Sequence, residues 1–338
     1  MTRDFASQVV INGRFLARRV TGVERYGREI LRHGGNHSRV ESTRMQGWRG
    51  HAWEQFILPA RLDQDSVLWS PANTGPLLVR HQALTIHDLS PLEHPEWFNI
   101  SFAAWYRLFL PILAKRVQKI FTPSEYVKQK VIRRFGIRDV TVTPNGVDHS
   151  RFHPCAKQTD FDLPQSYVLF VGTLEPRKNL GRLLQAWNEI KDDFKEMWLI
   201  VVGVSGSVFQ AIRVRVSDEM ERVRFLGYVN DETLAGLYAK ASLFVLPSQD
   251  EGFGLPALEA MASGTPVIVS DGGALPEVVG DAGLIFCLSD QNALKNALRV
   301  CLSSAELCAE LSGKGLERAK KFSWRATAEI VWKNLHDI

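Results

Sequence analysis

Short apolar runs rich in β-branched residues alternate along the chain with stretches whose apolar residues recur every three or four positions, the pattern of parallel α/β sheets. In the first half the predicted strands are Val9–Ile11, Val67–Ser70, Ala83–Ile86, Lys119–Phe121 and Val140–Thr143. Predicted helices are Val23–Arg32, Phe98–Lys115 with an interruption at Pro111, and Glu125–Phe135, which Ser124 caps and Gly136 ends. Residues 34–66 show no clear period and receive no assignment. The second half is cleaner: Tyr167–Val171, Leu199–Val202, Val223–Leu226, Leu243–Leu246, Val267–Val269 and Leu284–Phe286 are too uniformly apolar to face water and read as buried strands. Helical periods lie near 180–190, 207–220, 231–240, 256–262 and 290–302, and a last helix covers Trp324–Leu335.

At 338 residues the chain is long enough for two domains. Pro144-Asn145-Gly146 and the loop-like 149–165 form the natural hinge, which predicts one α/β domain over 1–150 and another over 151–322. Doubly wound sheets hold ligands in the crevice at the carboxyl ends of their strands, so the informative residues are those just after strands.

Three such places stand out. After 167–171 comes Gly172-Thr-Leu-Glu-Pro-Arg177-Lys178-Asn179, an arginine and a lysine before a helix that Asn179 can cap. Arginine grips two phosphate oxygens at once and lysine adds a compact charge, although a solvated turn has the same composition. After 243–246 comes Glu251-Gly252-Phe253-Gly254-Leu255-Pro256, with Glu259 one turn into the helix and Gly264 at its stop. Loop amides opening onto a helix N-terminus suit phosphate, and two carboxylates suit sugar or ribose hydroxyls. After 83–86 comes His87-Asp88, a strand-end histidine with either a structural or a catalytic use. Thr21-Gly22-Val23, ahead of the first helix, is a further backbone anion site. Gly203-Val-Ser-Gly206, followed by the crowded Asp218, Glu219 and Glu221, is too loose for a dinucleotide fingerprint.

Composition narrows the classes. No uncharged apolar stretch reaches the ~20 residues that span a bilayer, the start lacks a signal-peptide pattern, and the four cysteines have neither disulfide-framework nor zinc spacing; the chain reads as cytoplasmic. Residues 1–150 hold 21 Lys+Arg against 13 Asp+Glu, a net +8, whereas the remainder holds 20 against 24, a net −4. A basic half suits an anionic partner as well as a solvated basic face. The run Trp97-Phe98…Phe102…Trp105-Tyr106-Arg107-Leu108-Phe109, ending in Lys115-Arg116, places aromatic and basic residues at helical spacing. It suits either a helix in the headgroup layer of an anionic membrane or a core helix with a basic rim. No nucleic-acid-binding motif is present.

Glu251 and Glu259 form an E-x7-E motif inside EGFGLPALEAMASGTPVIVSD, with LPEVVGDAG at 275–283. Together with GTLEPRKNL, PNGVD, FLGY and the Thr85-Ile86-His87-Asp88 strand end, the chain resembles the retaining glycosyltransferases of family 4 over residues 9–335. The stretches Asn12–Phe15, Thr21–Tyr26 and His87–Phe98 resemble a mannosyl- or rhamnosyl-transferring branch that builds surface polysaccharides.

The resemblance implies the GT-B fold, two Rossmann-like domains facing a central cleft, with residues 323–338 crossing back to the first domain. It implies that Arg177 and Lys178 hold the donor diphosphate and that Glu251 binds sugar hydroxyls. Phe253 and Gly254 would present amides, Leu255 would line the diphosphate loop and Glu259 would grip the ribose. Gly227, Tyr228 and Val229 would meet the base, His87 the sugar, and Gly22 the diphosphate. No cofactor is implied beyond the nucleoside diphosphate sugar as co-substrate. No metal is implied either, although Asp63-Gln-Asp65 formally matches a D-x-D signature. The expected activity is retaining transfer of a hexose, mannose from GDP-mannose, onto a saccharide or lipid-linked oligosaccharide at the inner face of the plasma membrane. A UDP- or dTDP-sugar transferase, a sugar phosphorylase or epimerase, and a non-catalytic nucleotide-sugar binder remain open on the residues alone.

Overall fold

The structure, a computed structural model, describes residues 8–34, 38–157, 161–204 and 221–338. The helix expected near 207–220, together with Ser205, Gly206, Asp218 and Glu219, lies outside the described residues. The chain divides into a first unit (residues up to Glu93, Ser101–Gly146 and Ser323–Ile338) and a second unit (His94–Ile100 and Val147–Phe322).

The first unit holds β1 (Val9–Asn12), α1 (Gly22–Arg32), β2 (Arg39–Glu41), α2 (Gly47–Ala52), β3 (Val67–Ser70), β4 (Gln82–Thr85), α3 (Ser90–Glu93), α4 (Ile100–Arg116), β5 (Lys119–Thr122), α5 (Glu125–Phe135) and β6 (Val140–Val142). Its six parallel strands run in the order β2-β1-β3-β4-β5-β6, so the order reverses between β1 and β3. The strands β1, β3 and β4 are buried on both faces, which is why they read as unbroken apolar runs. Ser124 accepts from the Val127 amide and Gly136 ends α5 at φ +71°, as its sequence predicts.

One expectation is corrected. Pro111 does not interrupt α4, which runs unbroken over 17 residues. The ring removes one backbone rung, but Leu110, Leu113 and Ala114 on both sides of it are buried in the core and hold the helix on course. Of the two uses open to the aromatic run of α4, the structure shows the core helix with a basic rim: Tyr106 and Phe109 are buried, Phe102 and Trp105 are half-buried, and Trp105 stacks on Phe109 at 4.3 Å. Residues 34–66, left unassigned, contain β2, α2 and a wide helical turn at Trp53–Ile57 closed by the Leu58 amide donating to the Trp53 carbonyl at 2.9 Å. Trp53 and Leu58 thereby pack five residues apart against Val10 and Leu68. A spacing of five is invisible to a search for a 3.6-residue period.

The second unit holds β7 (Ser166–Val171), α6 (Leu180–Ile190), β8 (Met197–Val202), β9 (Val223–Gly227), α7 (Asp231–Lys240), β10 (Leu243–Leu246), α8 (Leu255–Ala262), β11 (Val267–Ser270), α9 (Leu275–Val279), β12 (Leu284–Phe286), α10 (Ala293–Ser303) and α11 (Ala305–Ala319). All pairings are parallel in the order β12-β11-β10-β7-β8-β9, with the reversal between β7 and β10. This is the doubly wound dinucleotide-type order, whose ligand crevice lies at that reversal.

The last helix, α12 (Trp324–His336), belongs to the first unit. Its buried Trp324, Thr327, Ala328, Val331 and Leu335 form one helical stripe. Thr327 donates to the Pro144 carbonyl at 2.5 Å and Trp332 Nε1 to the Ile30 carbonyl at 3.3 Å. A Cβ on Gly146 would sit 2.1 Å from the Trp324 amide nitrogen, so only glycine permits this approach.

Candidate functional site

The loops after β7 and β10 flank the reversal of the second sheet, and they bring a cluster of charges together. Arg177 and Lys178 lie on one tight helical turn, Pro176–Lys178, tied to the other loop by the Gln249 amide donating to the Arg177 carbonyl at 2.7 Å. Lys178 Nζ donates to Glu251 Oε1 at 2.5 Å, and Arg177 Nη1 donates to Glu251 Oε2 at 3.3 Å. The Ser248 hydroxyl donates to Glu251 Oε1 at 2.7 Å. Arg177 also donates through Nε and Nη2 to Glu175 Oε1 at 2.9 and 2.8 Å. Glu175 Oε2 is buried without a hydrogen-bond partner.

Burial alone would raise both carboxyl groups. At Glu251 the charges of Lys178 and Arg177, with the Ser248 and Lys178 hydrogen bonds, overcome it and hold the group below the usual carboxylate range. At Glu175 burial prevails over Arg177 and Lys178, helped by the nearby Glu251 charge, and the group sits above that range. Two cations therefore face one firmly ionised carboxylate and one that is held reluctantly. Such cations are ready to exchange a carboxylate for another anion.

Glu175, Ser248 and the pair Gly272-Gly273 were not picked out in the sequence. The Ala274 amide donates to the Glu251 carbonyl at 2.8 Å, and a Cβ on Gly273, at φ +70°, would lie 2.3 Å from the Glu251 backbone. The signal for the glycines was present as an adjacent pair just after a strand; for Glu175 there was none beyond its place two residues before Arg177.

Gly254 opens α8 at φ +100°, with Pro256 in the first turn. Phe253 and Leu255 are buried, and the Phe253 ring meets Phe322 edge-on at 5.7 Å. Glu259 is buried and accepts from the Tyr238 hydroxyl of α7 at 3.2 Å. Gly227 ends β9 at φ +68° and accepts from the Gly203 amide at 2.8 Å, followed by exposed Tyr228 and buried Val229. Asn179 does not cap α6 with its side chain; it takes the left-handed conformation at φ +55° instead.

In the first unit, His87 is buried two residues past β4. Its Nε2 lies 2.7 Å from the Pro71 carbonyl and its amide donates to Asn73 at 2.7 Å. A carbonyl only accepts, so the proton is on Nε2 and Nδ1 is left as an acceptor. Burial lowers its pKa against the Pro71 carbonyl and the charges of Asp88 and Glu24, which keeps the ring neutral at pH 7. Gly22 begins α1, where Glu24 closes a capping box by accepting from the Thr21 amide at 3.2 Å. A carboxylate already stands at that terminus. Asp63 of the D-x-D match is a surface residue paired with Arg39 at 3.1 Å.

The reversal of the first sheet holds a second charged cluster. Arg14 meets Glu54 at 2.7 Å, Glu54 Oε1 accepts from Asn12 at 2.7 Å and Thr74 at 3.0 Å, and Asn12 bridges to Ser70 of β3 at 3.3 Å. Both ring nitrogens of His51 lie within 3.0 Å of the Arg14 guanidinium.

Known proteins share this layout. The model described as Glycosyl transferases group 1 matches residues 155–318, and that described as Glycosyltransferase Family 4 matches residues 67–151. The chain is 32% identical over 296 residues to O-antigen chain mannosyltransferase B of Escherichia coli, covering 84% of this chain and 76% of that protein. It is 29% identical over 268 residues to O-antigen chain mannosyltransferase RfbU of Salmonella typhimurium, covering 78% and 73%. The solved structure of HepE of Anabaena in complex with UDP and glucose superposes with a TM-score of 0.73 at 17% identity, covering 98% of this chain and 100% of that one, and shows the GT-B fold. With two doubly wound sheets, a paired cation cluster at the reversal of the second and this extent of sequence identity, the chain belongs to the family 4 glycosyltransferases.

Proposed function

We propose that this glycosyltransferase transfers mannose from GDP-mannose, with retention, onto a saccharide or lipid-linked oligosaccharide in the assembly of a surface polysaccharide. The mannosyl assignment is supported by the relatives' names, since both are O-antigen mannosyltransferases. The donor site is carried by one observation: Arg177 and Lys178 converge on Glu251 at the reversal of the second sheet.

The chemistry follows from the charges. When a nucleoside diphosphate sugar enters, its diphosphate replaces the Glu251 carboxylate as partner of Lys178 and Arg177. Glu251, released from the cations, accepts hydrogen bonds from sugar hydroxyls. In the transition state the bond from the anomeric carbon to the diphosphate oxygen breaks and negative charge grows on that oxygen, where Arg177 and Lys178 stabilise it. The acceptor oxygen bonds to the anomeric carbon from the same face, and its proton passes to the departing diphosphate. Phe253, Gly254 and Leu255 supply amides at the α8 terminus, Glu259 takes the ribose, and Gly227, Tyr228 and Val229 border the base. His87 offers Nδ1 to a sugar hydroxyl, and Gly22 heads the α1 terminus. No metal is required in this reading, because the two cations do its work.

Among the described residues no helix is long and apolar enough to cross a membrane. We place the enzyme in the cytoplasm, in peripheral contact with an anionic membrane that carries its acceptor.

Nucleotide release from GDP-, UDP- and dTDP-sugars, measured in EDTA with a saccharide acceptor and with product configuration read by NMR, tests the proposal. GDP release with an α-configured product is expected from GDP-mannose. Turnover confined to a UDP- or dTDP-sugar, or an inverted product, overturns it.

A further inference from the structure

Four large apolar side chains of the first unit stand out into solvent: Trp48, Phe56, Leu78 and Leu108, which are 79%, 77%, 73% and 72% exposed. They come from three stretches of chain, residues 43–61, 75–81 and 101–116. The structure holds those stretches side by side. The His51 ring packs on Trp105 at 4.2 Å, joining α2 to α4. Gln55 donates to the Gly75 carbonyl at 3.0 Å and accepts from the Leu77 amide at 3.0 Å. Arg116 Nε donates to the Leu77 carbonyl at 2.8 Å, joining the loop to the end of α4. Each exposed side chain is within three residues of one of these ties. Ile112, one turn beyond Leu108 on α4, extends the patch.

The charges of the same three stretches are one-sided. Arg44, Arg49, Arg80, Arg107, Lys115 and Arg116 are all exposed, and Arg61, also exposed, is paired with Glu41 at 3.0 Å. Glu54 is the only carboxylate in these stretches, and it is buried and committed to Arg14. Aromatic residues and arginine with few carboxylates also mark protein interfaces, so a second copy of the chain is the competing occupant. The excess of exposed positive charge along the same stretches as the projecting tryptophan and phenylalanine favours an anionic bilayer, where aromatic rings settle at the headgroup level and basic residues meet lipid phosphate.

We propose that residues 43–61, 75–81 and 101–116 form the membrane-docking surface of this enzyme, with Trp48, Phe56, Leu78 and Leu108 entering the headgroup region of an anionic leaflet. This rests on the membrane contact placed in the proposed function, and it replaces the inward-facing aromatics of α4 with a different set of residues. None of the four belongs to the donor cluster.

The test is co-sedimentation of the full chain with vesicles of phosphatidylcholine alone or with one-third phosphatidylglycerol, at low and high salt. Binding is expected only to the anionic vesicles and is expected to weaken as salt rises. W48S/F56S, and separately R49E/R107E, are expected to lower the bound fraction at least tenfold while GDP-mannose hydrolysis in solution is unchanged. No binding at low salt overturns any membrane contact, and binding that both double variants retain overturns this surface. A stable dimer by light scattering that W48S/F56S converts to a monomer assigns the patch to a second copy and overturns the proposal. Because hydrolysis in solution needs no vesicle, failure of the docking surface is distinguishable from failure of the glycosyl-transfer reading.

Discussion

At the reversal of the first sheet Arg14 meets Glu54 at 2.7 Å; at the reversal of the second, Arg177 meets Glu251 at 3.3 Å. The two clusters occupy equivalent places in two doubly wound sheets, yet they are wired differently. Glu54 has both oxygens engaged, by Asn12, Thr74 and Arg14, and the pair's side chains are 5% and 1% exposed. The Arg177 side chain is 13% exposed and divided between two carboxylates, one of which keeps a buried oxygen without a partner. A closed network of this kind positions backbone, because moving any member strands another. An open one, with a cation shared between two carboxylates and a buried oxygen left unpaired, can trade partners. Place in the fold marks where a ligand site is possible; the satisfaction of the local charges decides whether the cluster acts as scaffold or as site.

The sharpest way to break this contrast is to empty one side of each pair. Glu54→Ala leaves Arg14 buried without its carboxylate, an effect of about 3–5 kcal/mol, read as a fall in melting temperature of about 10 °C. The donor-induced thermal shift should survive. A melting temperature within about 2 °C of the parent would show the first cluster to be as exchangeable as the second. Lys178→Ala should lower turnover by about 10²–10³-fold, the usual effect of losing one preorganised charge donor, ~3 kcal/mol. Steady-state rates within about threefold of the parent would remove its charge-stabilising role.

Acid titration gives a smaller effect with a definite sign. Glu54 and Glu251 are held below their ordinary value of 4.5, against burial, by His51 and Arg14 in one case and Lys178 and Arg177 in the other. Their stabilisation is fully present above that value and is lost as pH falls through the lowered one. Chemical denaturation across pH 3–6 should therefore show a steep acid loss that Glu54→Gln makes shallower. The smallest effect belongs to His87, lowered by burial from 6.5. Its neutral form stabilises the fold above 6.5, and that contribution is lost as pH falls below it. His87→Gln should flatten the stability profile just under pH 6.5, and an unchanged slope would show that the ring does not titrate on unfolding.

What the sequence made legible followed from how regular each element is. α5 has a serine cap, a 3.6-residue stripe and a terminal glycine, and it lies where those marks put it. The β10 and β12 strands are short apolar runs between polar loops and match residue for residue. The E-x7-E segment and Arg177-Lys178 announced themselves because their chemistry is local in sequence. Trp53 and Leu58 did not, because a five-residue spacing belongs to no common period. α11 escaped for a related reason: only Leu311, Gly315 and Ala319 are buried along its 15 residues, a stripe of mostly small side chains. The Arg14–Glu54 network spans 40 residues and depends on the fold to exist at all. α4 misled once, since tertiary packing overrode its proline, whereas its buried aromatic face follows the core-helix reading of the same run.

The central claim is that Arg177 and Lys178 exchange Glu251 for the donor's diphosphate. A thermal-shift titration of the parent and of Lys178→Ala with GDP-mannose in EDTA tests it most directly. At 100 times the dissociation constant the parent should gain ~2.7 kcal/mol, a shift of a few degrees, and Lys178→Ala should show almost none at the same concentration. A full shift in Lys178→Ala, or none in the parent with any nucleoside diphosphate sugar, would contradict the account.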